Sequence, residues 1–408
     1  MRERSRRVVI TGMGAVTPLG PDAAGTWSAM RDGRSAIGPI RGIDASGLRF
    51  PVAAEVAEFD PRRHFDEKRL PLLDRVSQFA LVAAREAIRQ SGIDFSSGGV
   101  GENTAVVIGT GIGGEHSHDE ASRRIYRDNN PRLPPMTIIR LMANAPASQV
   151  SIEHGLRGPS FAATSACASA AHALAQSYHM VRDGIAEAAV AGGSEACLCF
   201  GVIKAWESMR ILADDTCRPF CRQRHGLVLG EGAAVFVLET LEHARARGAE
   251  ILAEFAGAGM SADAADVVFP SDAGAALAIR RALGDAGMDA DEVDYVNAHG
   301  TGTPANDPAE TRAIRMALGA RADRIPVSST KSVHGHALGA AGAIELVAVI
   351  GAMREGVVPP TANFLDPDPE CDLDYVPNQA RAAPVRAALS NSFAFGGLNC
   401  VLALRRAP

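Results

Sequence analysis

Short runs of β-branched residues alternate along this chain with longer alanine-rich stretches that repeat with a helical period. The runs at 8–10, 104–108 and 188–191 predict strands, and the stretches at 79–90 and 168–182 predict helices. This alternation is typical of βαβ units, in which helices cover both faces of buried and mostly parallel strands. The pattern therefore predicts an α/β fold.

The same alternation starts again near Gly248. The later predictions are helices at 273–284, 308–318 and 340–353 and strands at 293–297, 325–329, 387–390 and 400–404. No low-complexity linker separates the two parts, so we predict two similar halves, residues 1–250 and 251–408, packed closely together. The Pro- and Asp-rich stretch at 357–384 is the longest irregular segment and is expected on the surface.

Composition and charge exclude several classes of protein. With 408 residues, 47% of them hydrophobic and 22% charged, the chain has the composition of an ordinary globular protein. A formal net charge of −6 gives no global attraction to nucleic acid or to an anionic membrane, and no apolar stretch is long enough to span one. The seven cysteines are too few and too irregularly spaced for a disulfide framework. We therefore expect a cytoplasmic protein that binds neither nucleic acid nor membrane.

One cysteine has neighbours suited to chemistry. Cys167 lies in a run of small residues, 164–170, that leads directly into the predicted helix at 168–182. The unpaired N–H groups and the positive dipole end of a helix N-terminus stabilise a thiolate, so we expect the pKa of this thiol to be lowered. The small neighbours leave room for a bulky acyl group. A buried structural cysteine is the alternative.

Two histidine-containing motifs lie in the second half. His299 follows a predicted strand and begins a Gly- and Thr-rich turn, where Thr301 and Thr303 can approach a ligand closely. His336 precedes a small-residue helix, and the dipole at the start of that helix favours the neutral imidazole. An ordinary turn histidine and a helix cap are the alternatives for these two motifs.

Several further side chains stand out from their surroundings. Lys331 is one of three lysines in an arginine-rich chain, and Glu345 lies in an otherwise apolar helix, where an ionised carboxylate needs a cation such as Lys331. The glycine turn at 390–399 can present a backbone N–H to an oxyanion and swing an aromatic ring across a pocket. Core packing explains Phe393 equally well.

Together these motifs resemble those of the elongating β-ketoacyl-acyl-carrier-protein synthases of the thiolase superfamily, and the resemblance runs from 9–14 to Asn399. The segments 215–220 and 226–232 are most similar to nodulation-type and type II polyketide ketosynthases. The resemblance implies a thiolase-like fold, with the two βαβ-rich halves packed as an αβαβα layered core.

The resemblance also implies a role for each candidate residue. Cys167 would accept the acyl chain, while His299 and His336 would accept the malonyl thioester and drive its decarboxylation. Lys331 and Glu345 would form a buried pair beside the histidines, with Glu310 and Asp307 behind them. Phe395 would act as a gate, and its backbone N–H would form the oxyanion hole with that of Cys167. Thr301 and Thr303 would bind the phosphopantetheine arm, and Gly111, Ile112 and Phe393 would contact the acyl chain.

The implied reaction is a decarboxylative Claisen condensation with malonyl-acyl-carrier-protein, which lengthens a fatty-acid or polyketide chain by two carbons. It needs no metal or redox cofactor. The phosphopantetheine arm is not bound by the enzyme beforehand but arrives on the carrier protein. The implied partners are the acyl carrier protein and a second subunit, either an identical chain or a chain-length factor. A non-catalytic subunit of the chain-length-factor type is the alternative function, but such subunits lack the nucleophile that Cys167 supplies. A thiolase or starter-unit synthase acting on CoA esters fits less well, because it has Cys or Asn in place of one histidine.

The sequence departs from the family pattern at a few positions. The extra or replaced residues are Cys221, His225, His334, Ala394 and Leu398. A zinc site in this region would draw on Cys221 and His225 with the cysteines Cys197, Cys199 and Cys217. Their Cys-x-Cys and Cys-x3-Cys spacings lack a Cys-x2-Cys pair, so we expect local repacking instead.

Clustered basic side chains could dock an acidic carrier protein electrostatically. The candidates are Arg62, Arg63, Lys68, Arg69, Arg123, Arg124 and Arg127. A solvated basic face is the alternative.

Overall fold

Two sets of five strands, joined edge to edge into one ten-stranded sheet, organise the molecule. The computed structural model describes residues 6–96 and 99–408 of the chain. Its strands, in chain order, are β1 (Val8–Val16), β2 (Ile37–Pro39), β3 (Val52–Ala54), β4 (Thr104–Gly109), β5 (Ser160–Ala163), β6 (Ala188–Glu195), β7 (Leu229–Gly230), β8 (Gly232–Thr240), β9 (Ala253–Ala262), β10 (Tyr295–Asn297), β11 (Val327–Ser328), β12 (Val357–Val358), β13 (Arg381–Ala382), β14 (Ala387–Ala394) and β15 (Leu398–Arg406). Its helices are α1 (Ala23–Arg31), α2 (Arg75–Ser91), α3 (Glu115–Ser122), α4 (Thr137–Leu141), α5 (Ala145–His154), α6 (Ser169–Arg182), α7 (Phe200–Ser208), α8 (Leu241–Ala246), α9 (Asp272–Ala286), α10 (Asn306–Leu318), α11 (Lys331–His334) and α12 (Ala341–Glu355).

The strand order repeats between the two sets. Across the large sheet the order is β11-β10-β14-β15-β9-β1-β8-β6-β4-β5. When the five strands of each set are numbered from one to five along the chain, their order in the sheet, from the outer edge inward, is 3-2-4-5-1 in both sets. The two sets meet where β1 pairs with β9. This repeat confirms the prediction of two similar halves. Residue 250 lies between α8 and β9, and the division of the chain at that residue stays a prediction.

The prediction of mostly parallel strands is wrong for the middle of the sheet. The outer pairs are parallel, as between β4 and β6, but β1 pairs antiparallel with both β8 and β9, and β14 pairs antiparallel with β15. Only residues 395–397 connect β14 to β15, and so tight a turn joins antiparallel neighbours. β1 and β8 are buried along their whole lengths, so an apolar pattern could not indicate the direction of their neighbours.

Helices form the remaining layers. α2 packs on β1 and β8 at one outer face, α9 packs on β9 and β15 at the other, and α6 and α12 lie between the two sets of strands. Residues 341–353 of α12 are all buried, as expected for a helix that is apolar on every side. The result is the αβαβα layered core that the family resemblance implies.

The irregular segment 357–384 lies only partly on the surface. Thr361, Cys371 and Tyr375 are buried, and the ring of Tyr375 stacks on Phe220 with centroids 4.0 Å apart. The segment therefore contributes to the core of the second half. Among the described residues, no helix combines the length and the apolar character needed to cross a membrane.

Candidate active site

Cys167 lies on the short turn between β5 and α6. Ala166 adopts a left-handed backbone with φ 49°, which is strained for a residue with a side chain. Two hydrogen bonds hold the turn: Ser165 N–H donates to Ser169 Oγ at 2.9 Å, and the Ser169 hydroxyl donates to Ala166 O at 2.7 Å. The sulfur is therefore presented from a fixed elbow, just before the first turn of α6.

The pKa of the Cys167 thiol shifts in the opposite direction from the prediction. Burial raises the pKa of Cys167 to about 12; the charge of Lys331 opposes this, and that of Glu195 adds to it. The sequence indicated a helix terminus, which favours the thiolate, but it did not indicate that the thiol is only 6% exposed. The resting thiol is protonated at neutral pH, so its proton has to leave during attack on a substrate.

Cys167 shares one cavity with both predicted histidines. The predicted site residues that line this cavity are Cys167, His299, Thr301, Thr303, His336, Phe393 and Phe395. The imidazole rings of the two histidines have centroids 5.4 Å apart and are nearly perpendicular, at 81°. A thiol from the first half and two imidazoles from the second half thus meet at one place.

Both imidazoles are neutral. Burial lowers the pKa of His299 and of His336 well below the usual value, and the charge of Lys331 lowers both further. Lys331 Nζ lies 3.4 Å from His299 Nδ1, and because an ammonium only donates, Nδ1 accepts and Nε2 carries the ring proton. The backbone of His336 is fixed by its N–H, which donates to Val228 O at 2.7 Å, and by its carbonyl, which accepts from Gly230 N–H at 2.9 Å. Each neutral ring therefore has one N–H to donate.

The buried pair of Lys331 and Glu345 is present. Both side chains are buried, Lys331 Nζ contacts Glu345 Oε1, and it also donates to His299 O at 2.6 Å. Burial raises the pKa of Glu345 to about 7, and Lys331 opposes this rise. A compact ammonium with three donors can reach the carboxylate, the carbonyl and the His299 ring together, which suits lysine better than arginine.

Two more buried carboxylates hold the turn that carries His299. Glu310 accepts the N–H of His299 and that of Gly300, both at 2.7 Å. Asp307 accepts the N–H of Gly302 at 3.2 Å. Gly300 and Gly302 have φ 37° and 76°, a backbone conformation that favours glycine. Glu310 and Asp307 therefore lie behind the cavity, where the family resemblance predicts them.

Two aromatic rings border the cavity. Phe395 begins the turn between β14 and β15, and Gly396 and Gly397 follow it with φ 82° and 67°. Its ring stacks on Trp206 of α7 with centroids 6.0 Å apart. The ring centroid of Phe393 lies 6.0 Å from that of His299. A glycine turn thus carries one ring of the wall, while the other belongs to the buried part of β14.

The mouth of the cavity includes residues that the sequence motifs did not indicate. Trp206, Asp263, Phe269 and Asn306 all line it. Asp263 Oδ1 accepts a hydrogen bond from Asn399 Nδ2 at 2.7 Å, which ties this loop to the start of β15. The sequence offered one signal for them, since Trp206 is one of two tryptophans in the chain.

Gly111 and Ile112 do not line this cavity within the described chain. The N–H of Gly111 donates to the Glu195 carboxylate at 2.7 Å, and Ile112 is 38% exposed. That both residues lie deep in an acyl pocket stays a prediction. Two residues further on, Gly114 N–H donates to Leu141 O at 3.1 Å, which joins this loop to the end of α4.

Of the residues that depart from the family pattern, Cys221 and His334 are buried in the fold, whereas His225 is exposed. All seven cysteines are free and buried. Cys221 Sγ donates to Gln223 Oε1 at 3.0 Å, and His334 Nε2 lies 3.0 Å from Thr330 Oγ1. Within the described residues, the group whose ligand atoms could surround a metal ion contains no cysteine: it is the exposed set Asp214, Asp215 and His225. The structure therefore does not assemble the cysteine-based zinc site considered from the sequence.

A buried thiol that shares a cavity with two neutral imidazole donors can hold an acyl group as a thioester and stabilise negative charge on a second substrate. These are the functional groups that a condensing enzyme needs. The sequence-family model of the β-ketoacyl synthase N-terminal domain matches residues 5–244, and the sequence-family model of the C-terminal domain matches residues 252–365. The chain belongs to the β-ketoacyl synthase family, and it is an elongating, chain-extending enzyme.

Known relatives span almost the whole chain. Nodulation protein E of Rhizobium meliloti (strain 1021) is 50% identical over 401 residues, which are 98% of this chain and 99% of the relative. The 3-oxoacyl-[acyl-carrier-protein] synthase 2 of Synechocystis sp. is 43% identical over 410 residues, 98% of each chain. The solved structure of the ishigamide ketosynthase/chain length factor is 35% identical, with a TM-score of 0.95 over 99% of this chain and 100% of the other.

Proposed function

We propose that this enzyme carries out a decarboxylative Claisen condensation, in which an acyl chain held on Cys167 is extended by two carbons from malonyl-acyl-carrier-protein. The observation that supports this most strongly is that Cys167, His299 and His336 line one cavity. Carrier-bound substrates are supported by the name of the Synechocystis relative, a 3-oxoacyl-[acyl-carrier-protein] synthase.

In the first step, Cys167 Sγ attacks the carbonyl carbon of the acyl thioester. The new S–C bond gives a tetrahedral intermediate, which collapses as the bond to the pantetheine sulfur breaks, and the proton of Cys167 passes to the released pantetheine thiol. The backbone N–H groups of Cys167 and Phe395 stabilise the oxyanion of the tetrahedral intermediate. Because burial raises the pKa of the thiol, deprotonation accompanies the attack instead of preceding it.

In the second step, the malonyl group loses CO2. The C–C bond to the carboxylate breaks and its electron pair forms an enolate, whose oxygen accepts hydrogen bonds from His299 and His336. The enolate carbon then attacks the thioester on Cys167, the C–S bond breaks, and the released thiolate of Cys167 takes up a proton from solvent. Neutral imidazoles suit this role because they donate a hydrogen bond without pairing with the substrate's carboxylate, which has to leave as CO2.

The remaining residues support these steps. Lys331 and Glu345 fix the ring and backbone of His299, and Phe395 with Phe393 closes the cavity over the acyl chain. Thr301 and Thr303, whose hydroxyl oxygens lie 2.9 Å apart, hydrogen-bond the phosphopantetheine arm. The reaction so written requires no metal or redox cofactor, because backbone and imidazole N–H groups supply the electrostatic stabilisation.

Intact mass spectrometry tests this proposal. Wild-type enzyme incubated with an acyl carrier protein should gain the mass of the acyl group, and malonyl-carrier should then remove that mass and yield a 3-oxoacyl-carrier. Cys167→Ala should gain nothing, while Cys400→Ala, which removes another buried thiol, should be acylated like the wild type. Absence of an acyl adduct on Cys167 would reject the proposal and favour a non-catalytic chain-length-factor-type subunit.

We also propose that the acidic carrier docks on the basic residues near α3. Arg123 and Arg124 are paired with Asp119 and Glu120 at 3.1 and 2.9 Å, whereas Arg127 is exposed at the end of this region. Charge reversal at Arg124 and Arg127 should therefore raise the KM for carrier-bound substrates and leave the KM for small thioesters unchanged. Equal effects on both kinds of substrate would contradict docking at this face.

The expected dimer is proposed to form along β5. β5 is the last strand in the sheet order, so one of its edges is open, and α5 packs beside it. Ile138, Ile139 and Ile152 are 65%, 52% and 73% exposed nearby, and Phe161 of β5 is 37% exposed. An apolar face beside an open strand edge is typical of an interface. Native mass spectrometry should show a homodimer that Phe161→Asp dissociates; a wild-type monomer would favour pairing with a chain-length factor.

A cytoplasmic location is proposed from the cysteines. All seven are free thiols, as expected in a reducing compartment. Cell fractionation with a tagged chain would test this, and recovery in a compartment outside the cytoplasm would contradict it.

A further inference from the structure

Glu195, the last residue of β6, is a buried carboxylate that the reaction scheme above does not use. Its oxygens accept three hydrogen bonds from the loop that follows β4: from Gly111 N–H at 2.7 Å, from the Thr110 hydroxyl at 3.0 Å and from Ile112 N–H at 3.4 Å. They accept a fourth from Gly339 N–H at 2.9 Å. One fully buried side chain thus holds two separate segments of backbone.

These two segments belong to different halves of the molecule and lie against the site. A Cβ atom added to Gly111 would lie 3.8 Å from the carbonyl oxygen of Ala166, the residue before Cys167. A Cβ atom added to Gly339 would lie 2.1 Å from Gly111 N. The loop beside the cysteine and the turn after the second histidine therefore touch through glycine backbone, and Glu195 bonds to both.

The contact with Gly339 limits the movement of His336. On one side, His336 is hydrogen-bonded through its backbone to Val228 and Gly230. On the other side, the chain passes through Leu338, which has a strained φ of 41°, directly to Gly339. The backbone of this histidine is therefore held before and after the residue, and Glu195 provides the later attachment.

The chemistry of the contact explains why a carboxylate stands there. All four hydrogen bonds come from neutral groups, two to each oxygen, and no neutral side chain offers two oxygens that each accept twice. Burial raises the pKa of Glu195 to about 7, and the hydrogen bonds oppose this rise. A buried carboxylate without a cation is costly, so its presence indicates that joining these segments matters.

We propose that Glu195 is a positioning residue for the condensation: it fixes the loop beside Cys167 and the turn after His336 at one distance, so that thiol and imidazole keep their separation. This proposal rests on the condensation proposed above. Displacement of reacting groups by about 1 Å can cost about 100-fold in rate, so a side chain that touches neither substrate can still control kcat.

Two variants of Glu195, one that changes the length of the side chain and one that changes its charge, test the proposal. Glu195→Asp keeps the charge but is one methylene too short to bond both segments, and we expect kcat for condensation to fall about 10- to 100-fold with KM for malonyl-carrier within a few-fold of wild type. Glu195→Gln keeps the length, and its amide oxygen can still accept from Gly111 and Gly339, but its NH2 group cannot accept from Thr110 and Ile112, so its kcat should fall less than that of Glu195→Asp. Rates are expressed per Cys167 that an acyl carrier protein can acylate, counted by intact mass, so that loss of folded enzyme is not counted as loss of kcat.

Two further variants provide the controls. Glu239→Asp shortens another fully buried carboxylate, one that bonds Thr11, His243 and Arg247, and it should leave kcat per acylated Cys167 unchanged. Thr110→Val removes one donor to Glu195 and should lower kcat several-fold even if Glu195→Asp fails to fold. A kcat for Glu195→Asp, or for Thr110→Val in its place, within two-fold of wild type would overturn the proposal. So would a Glu195→Gln enzyme as slow as Glu195→Asp, because that would assign the effect to the charge. A wild-type enzyme that forms no 3-oxoacyl product would instead count against the proposed function.

Discussion

The two halves share a strand order but place different chemistry at corresponding positions. The turn after the third strand of the first half leads from β5 to α6 and carries Cys167, whereas the turn after the third strand of the second half leads from β11 to α12 and carries Lys331 and His336. Likewise, the loop after the second strand carries Gly111 in the first half and His299 in the second. The same architecture thus presents a nucleophile from one side and hydrogen-bond donors from the other.

The ends of the fourth strands differ in the same instructive way. β6 ends at Glu195, whose carboxylate is bonded to four donors, whereas β14 ends next to Phe395 and two glycines with positive φ. The first half therefore has a fixed wall at this position, and the second half has a tight turn that carries an aromatic ring. In the proposed function, the first half would hold the acyl chain while the second half would admit substrate and drive decarboxylation.

Removing an imidazole should have the largest effect on this division of roles. His299→Ala or His336→Ala removes one donor to the enolate, and loss of such a donor costs about 100- to 1000-fold in rate. Release of labelled CO2 from malonyl-carrier measures this step, and acylation of Cys167, followed by intact mass, should stay within a few-fold of wild type. His225→Ala, which changes an exposed histidine outside the cavity, is the control. Equal losses in both half-reactions would show that the roles are not divided between the halves.

Breaking the buried ion pair should have the largest effect on stability. Lys331→Met leaves Glu345 buried without its cation, which should lower the free energy of unfolding by about 3–5 kcal/mol. Urea denaturation followed by circular dichroism measures this loss. Lys204→Met removes a partly exposed lysine paired with Glu207 and should cost less than about 1 kcal/mol. A similar small loss for Lys331→Met would mean that the pair does not stabilise the second half.

The pH dependence of alkylation tests the environment of the thiol in the first half. With the pKa of Cys167 raised to about 12, the thiolate fraction, and with it the rate of reaction with iodoacetamide, should increase about tenfold per pH unit from pH 7 to pH 9. The acid form is favoured by burial, so the curve should show no plateau in this range. A plateau below pH 9 would support the lowered pKa that the helix N-terminus alone predicts.

The smallest effect is expected at the aromatic turn of the second half. Phe395→Ala removes the ring that stacks on Trp206, so a bulky maleimide should alkylate Cys167 several-fold faster while iodoacetamide reacts at nearly the wild-type rate. Phe364→Ala, outside this cavity, should change neither rate. If both reagents accelerate equally, Phe395 does not select by size.

Local patterns predicted seven of the ten strands in the large sheet and five of the twelve helices that the structure describes, and with the family resemblance they indicated the candidate residues. The strands, the helices and the motifs around Cys167, His299 and His336 are each encoded within a few consecutive residues. The pKa direction of Cys167 could not be predicted, because it depends on burial by distant segments. The same holds for Asp263, which bonds Asn399, and for Glu195, which bonds Gly111 and Gly339: these partners are separated in sequence by 136, 84 and 144 residues. The exposure of Ile112 depends on packing that no motif contains.

The burial of residues 341–353 of α12 between the two sets of strands has a consequence for how substrate enters. The surface between the halves is filled by α6 and α12, so the halves cannot swing apart about a hinge without exposing the apolar interior of the protein. With Phe395 as the proposed gate, we expect access to the sulfur to come from displacement of a few residues at the rim, such as the turn at 395–397. A compound that wedges this turn would therefore block turnover without any rigid-body rearrangement.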